Sequence, residues 1–138
     1  MIRTHILLTL VVGVGLSWVI WEHPPAVWTP TVILGTFLFV AGFILWSVAR
    51  FQLGASFSVR AEARQLVTRG IYSKVRNPIY VFGLCMIAGL ILFLNRPIWL
   101  LAYIFIIPLQ IWRARKEAQV LEAKFGEEYR KYRAGTWF

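Results

Sequence analysis

The sequence predicts an all-α membrane protein: four hydrophobic helices, the last two closing a short C-terminal hairpin, then a cytoplasmic amphipathic helix. Three observations carry that expectation. The 138 residues are 59% hydrophobic and 15% charged, and the mean hydropathy of +0.65 is too apolar for a soluble domain of this length. The apolar residues are gathered into four runs separated by breaks that contain Pro, Asn or Arg. Of the 15 basic residues, only Arg96 falls between the first and second runs or between the third and fourth. Such asymmetry places both termini and the central connector on the cytoplasmic side. One domain, residues 1–138, is expected.

The first run, about Thr4 to Trp21, approaches the roughly 20 residues that cross a bilayer. Arg3 ahead of an apolar core also suits a signal peptide, but no small-x-small cleavage site follows, and Glu22-His23-Pro24-Pro25 reads as a turn. Pro24, Pro25 and Pro30 break the helix, and Trp21 and Trp28 suit a membrane interface. The second run, about Thr31 to Leu53, carries Gly35 and Gly42, which can admit a neighbouring helix closely although their spacing is not GxxxG. Arg50 near its end is expected to snorkel outward.

From Gly54 to Asn77 the apolar pattern stops, and Arg60, Arg64, Arg69, Lys74 and Arg76 stand against Glu62 alone. This connector is longer than a tight turn needs, and long connections in compact proteins are often functional; a basic amphipathic segment on anionic lipid has the same composition. Asn77-Pro78 is a helix start, with Asn as N-cap and Pro at the first position. The helix end so formed, with its free N–H groups and positive dipole, lies beside Tyr72, Arg76 and Tyr80 and can hold a polar ligand.

The third run, about Ile79 to Leu94, turns at Asn95-Arg96-Pro97 into the fourth, about Ile98 to Trp112. Each arm is about 16 residues, or roughly 24 Å, short against a hydrocarbon core of about 30 Å. Pro108 is a candidate kink. The tail, 113–138, reads as helix broken near Gly126, with Ala114, Ala118, Leu121, Phe125, Tyr129 and Tyr132 on one apolar and aromatic face. That stripe makes packing the simplest role for Tyr129 and Tyr132. Arg113 and Glu117 are i, i+4 neighbours: either a surface ion pair or two groups closing over a polar pocket against the connector.

The net charge of +9 suits anionic lipid in a membrane chain, and no nucleic-acid partner is expected. The single Cys85 excludes an intramolecular disulfide and a thiolate metal cluster. No metal site, Gly-rich nucleotide loop or Ser-His-Asp arrangement is expected.

Taken together, Leu66-Val67-Thr68-x-Gly70-x-Tyr72-x3-Arg76-Asn77-Pro78-x-Tyr80-x2-Gly83 and, after the hairpin, Arg113-x3-Glu117-x3-Leu121-x3-Phe125-Gly126-x2-Tyr129-x2-Tyr132 resemble the isoprenylcysteine carboxyl methyltransferase and phospholipid methyltransferase families over about residues 57–133. The resemblance implies an integral membrane enzyme that binds S-adenosylmethionine between the connector, the third run and the C-terminal helix. It puts Gln65, Leu66, Val67, Tyr72, Asn77, Pro78 and Tyr80 at the cofactor, and Arg113 and Glu117 at substrate or catalysis. The implied partners are a lipophilic small-molecule substrate and membrane lipid, in a bacterial or archaeal inner membrane. Asn77 replaces the family's usual His, Arg64 stands where another His is usual, and Ala118 replaces a second carboxylate, which leaves the acceptor open among a prenylcysteine-like carboxylate, a phospholipid amine or another lipid-soluble group. From other classes, a four-span transporter normally needs an ionisable residue inside the membrane, and none is evident, since Glu22 lies at the edge of a run and Arg50 can snorkel; a non-catalytic membrane scaffold is the other alternative, to which the altered Asn77 and Ala118 give weight.

Overall fold

The computed structural model describes the backbone of residues 2–54 and 66–138, and side chains within those ranges from residue 6 onward. Five α-helices follow in order: α1 (Ile2–Glu22), α2 (Pro30–Leu53), α3 (Pro78–Phe93), α4 (Tyr103–Phe125) and α5 (Glu127–Ala134). Two 3-10 turns, Gly70–Ser73 and Pro97–Ala102, precede α3 and α4. Among the described residues there is no strand beyond one isolated bridge, between Val75 and Trp137. Two stretches are long and apolar enough to cross a membrane, Pro30–Leu53 and Pro97–Phe125, and α1 and α3 are shorter apolar helices. The outward faces are apolar too: Phe37 and Phe105 expose 69% and 79% of their surface. A water-soluble chain would not carry so much unbroken apolar surface.

The core is the antiparallel contact between α2 and α3, and glycine sets its closeness. A Cβ on Gly35 would lie 2.4 Å from the Phe93 amide nitrogen, one on Gly89 2.2 Å from the Phe39 nitrogen, and one on Gly42 2.7 Å from the Met86 nitrogen. The two backbones therefore touch, as small residues allow between membrane helices. Gly35 and Gly42 were legible as such positions; the partner is α3, whose Gly89 completes the contact. Thr29 caps α2, its Oγ1 accepting from Val32 N at 3.3 Å ahead of Pro30 at the first position.

The hairpin turns at Asn95, which takes a left-handed φ of 53°, and Arg96 N donates to Ile91 O at 3.1 Å. The fourth run differs from the expected separate span. Its first residues wind as 3-10 turn, and from Tyr103 one continuous α4 carries the membrane run and the first half of the tail as a single rod with Pro108 inside it. The physical reason is that the apolar and charged parts share one helical period, so nothing in the chain ends the helix before Gly126. There φ is +51°, and α5 begins at a new angle.

α4 meets α3 through side chains: the Tyr103 hydroxyl donates to Leu84 O. The tail then folds back onto the connector. Trp137 N donates to Lys74 O at 2.8 Å, Arg76 N to Trp137 O at 2.9 Å and Asn77 N to Phe138 O at 2.9 Å. Together these bonds form a short backbone strap across the start of α3. Tyr132 adds a side-chain tie, its hydroxyl donating to Tyr72 O at 2.8 Å. The connector and tail therefore share one end of the helix pair.

Candidate functional site

The polar cluster lies where the connector, the start of α3 and the middle of α4 converge. On the connector, Gly70 takes φ +62°, which suits glycine, and Gln52 at the end of α2 accepts from Ile71 N at 2.8 Å. A Cβ on Gly70 would meet that Gln52 oxygen at 2.3 Å. This clasp fixes the 3-10 turn that carries Tyr72, which is buried. Burial pushes the Tyr72 phenol above its ordinary range, with Tyr132 and Glu117 adding to the rise and Arg50 opposing it. The same balance places the Tyr72 hydroxyl within electrostatic reach of Glu117, Arg50 and Tyr80.

Tyr80, on the first turn of α3, donates its hydroxyl to Glu117 Oε1 of α4. The Arg113 guanidinium lies over the Tyr80 ring, 5.8 Å from its centroid. Arg113 and Glu117 therefore meet Tyr80, one by its ring and one by its hydroxyl. The ion pairs among the described residues lie elsewhere, where Glu122 holds Arg130 at 2.9 Å and Arg133 at 3.9 Å, and Glu127 holds Arg130 at 2.6 Å.

Of the residues expected at the cofactor, Tyr72 and Tyr80 come together with the proposed pair Arg113 and Glu117. Leu66 and Val67 are half-buried on the approach to the turn, and Pro78 is fully buried at the first position of α3. Gln65 lies outside the described residues. Asn77 corrects the sequence reading: its side chain makes no capping bond. Instead its backbone carbonyl accepts from Tyr80 N at 3.1 Å and Val81 N at 3.2 Å. Just ahead of the helix, the amides of Arg76 and Asn77 are taken by the strap.

Three further residues belong here that the sequence reading placed elsewhere. Arg50 does not snorkel. It is 8% exposed, with its guanidinium 4.8 Å from the Trp46 ring centroid, and its charge reaches Tyr72. Tyr129 is 0% exposed, and its hydroxyl has no hydrogen-bond partner among the described residues; neither has the buried Nε of Arg76. Burial pushes Tyr129 upward, and Arg76 is the first charge opposing that rise, followed by Arg133. Tyr132 is pushed up to about 12, again by burial first and with Arg76 opposing. The available signal for Arg50 was a cation ending an apolar run; for Tyr129, a phenol on an otherwise apolar stripe.

The cluster thus offers aromatic faces, one carboxylate and several cationic or phenolic donors at one end of a hydrophobic helix bundle. Comparison with curated proteins and with solved structures gives no significant match. Residues 30–128 match the family model described as phospholipid methyltransferase. That range holds Tyr72, Tyr80, Arg113 and Glu117 and covers well over half of the 138 residues. The chain therefore belongs to the phospholipid methyltransferase family, a family of methyltransferases.

Proposed function

We propose that the protein transfers a methyl group from S-adenosylmethionine to a lipophilic acceptor at the cytoplasmic face of a membrane that its four hydrophobic helices cross. The observation that carries this reading is the meeting of Tyr80 with Glu117 and Arg113, between helices that share an apolar exterior. When bound, the cofactor supplies an electrophilic methyl group on a cationic sulfonium. The donor set suits such a group: Glu117, held by the Tyr80 hydroxyl and within electrostatic reach of Tyr72, offers a negative charge that a cationic sulfonium can face.

With the donor already activated, the protein's work is alignment and the exclusion of water, for which orientation can supply roughly 7 to 11 kcal/mol. Tyr72, held by the Gln52 clasp and the Tyr132 bond, forms the rigid wall on the connector side. Glu117 takes the proton that an amine or thiol acceptor must lose, and Tyr80 keeps that carboxylate pointed into the site. A carboxylate acceptor is instead oriented by Arg113 through charge-assisted hydrogen bonds. The acceptor reaches the cluster sideways from the bilayer along the apolar flank of α4.

Purified protein incubated with S-adenosylmethionine labelled in the methyl group and a total lipid extract tests the proposal. Label carried into the lipid fraction, and lost in Glu117→Ala, supports it. Folded protein that binds the cofactor yet moves no label to any lipid contradicts the enzyme reading and favours a scaffold.

A further inference from the structure

The cluster contains two donors that the proposed reaction does not use. Tyr129 is completely buried, and its hydroxyl has no partner among the described residues; the buried Nε of Arg76 is in the same condition. Native structures rarely leave such atoms unpaired, and each that does needs an explanation. The tail and the connector bring the two together: Arg76 N donates to Trp137 O at 2.9 Å, and Tyr132, one turn beyond Tyr129 on α5, donates to Tyr72 O at 2.8 Å; Arg76 is accordingly the leading charge acting on both Tyr129 and Tyr132. The other charges facing Tyr129 are Arg133, Glu122 and Glu117. Both carboxylates are already engaged, Glu122 by Arg130 and Arg133, and Glu117 by the Tyr80 hydroxyl. What remains is a phenolic O–H and the Nε–H of Arg76, two buried donors without an acceptor among the described residues. Two such donors, one of them cationic, suit an oxyanion.

We propose that Tyr129 and Arg76 form a binding subsite for an anionic oxygen group of the ligand, either the carboxylate of the methyl donor or the phosphate of a lipid headgroup. The assignment rests on the methyl-transfer reading and gives a binding role to Tyr129, for which packing alone was expected. The tail is then part of the binding site. α5 brings Tyr129 against the connector, and the bonds of Tyr132 and Trp137 hold it there.

Tyr129→Phe tests the subsite because it removes only the unpartnered hydroxyl. A packing role predicts unchanged binding. The subsite predicts opposite movements: the ligand-free protein gains thermal stability, since an unsatisfied buried hydroxyl is gone, while affinity for the anionic ligand falls about tenfold or more. Calorimetry with S-adenosylmethionine and its decarboxylated analogue forms one arm. A soluble short-chain phosphatidylglycerol and the corresponding diacylglycerol form the other. Both arms use wild type, Tyr129→Phe and Arg76→Gln in detergent free of phospholipid. If the carboxylate is bound, both variants lose affinity for S-adenosylmethionine but not for the decarboxylated analogue. If the phosphate is bound, the loss appears for the phospholipid but not for the diacylglycerol. Wild-type binding with unchanged affinities in Tyr129→Phe overturns the subsite alone. A folded wild type that binds none of these compounds overturns both the subsite and the methyl-transfer reading.

Discussion

Tyr80 and Glu117 stand 37 positions apart in the chain, and the hydroxyl of the first donates to the carboxylate of the second. That contact joins the first turn of α3 to the centre of α4 at the polar end of the bundle. With Arg113 over the Tyr80 ring, it ties the two sequence motifs into one site.

Glu117→Gln keeps the size and an acceptor oxygen but removes the charge. With an amine or thiol acceptor, turnover is expected to fall on the order of 10²–10⁴-fold, the usual weight of a positioned base. The fold and membrane insertion stay intact. Initial rates at saturating cofactor check this, and a rate within a few-fold of wild type removes Glu117 from the proton path.

Gly35→Ala and Gly89→Ala each place a methyl group within 2.4 Å of facing backbone, which no rotamer change relieves. Each is expected to cost about 1–3 kcal/mol of overpacking or to force α2 and α3 apart. Gly15→Ala, with nothing within 4 Å of its added Cβ, is the control and should be nearly neutral. Thermal unfolding in one detergent compares the three.

The strap is tested at the amide that begins it. Trp137→Pro removes the N–H that donates to Lys74 O. The expected result is faster hydrogen exchange at the Arg76 and Asn77 amides, whose acceptors lie on the same strap, with exchange in α2 unchanged. Unchanged protection at Arg76 and Asn77 would show that the strap does not hold the connector.

Much of this was legible in the sequence, and the remainder was not for identifiable reasons. The first three apolar runs placed α1, α2 and α3 to within a few residues, because continuous hydropathy is a strong signal. Gly35 and Gly42 marked a close contact but could not name α3, since helix pairing depends on three-dimensional register. Gly126 marked the break between α4 and α5, and because no stop signal precedes it, one rod stands where a span and a separate tail helix are expected. The ordered motifs put Tyr80 and Glu117 at one end of the bundle, but their direct contact was not legible. The strap over Asn77, the reach of Arg50 to Tyr72 and the burial of the Tyr129 hydroxyl, unpartnered among the described residues, are long-range events. Local pattern marks Arg50 and Tyr129 as polar groups in apolar stretches but does not give their surroundings.

High pH should release the tail. Tyr132 has a folded pKa of about 12 against an ordinary 10, so its neutral form contributes stability that is fully present below pH 10 and lost as the pH rises through 12. Above that range the phenolate can no longer donate to Tyr72 O. Tyr132→Phe, lacking the donor at every pH, should lose about 0.5–1.5 kcal/mol at neutral pH and show a flatter stability profile between pH 10 and 12. An identical profile in the variant would assign the alkaline transition to other groups.

The central claim is that the connector, α3 and α4 fold around one S-adenosyl ligand, and titration calorimetry of the purified full chain with S-adenosylhomocysteine tests it most directly. The account predicts saturable binding of one ligand per chain, weakened by Tyr80→Ala. Protein with intact helical circular dichroism that takes up no ligand would contradict it.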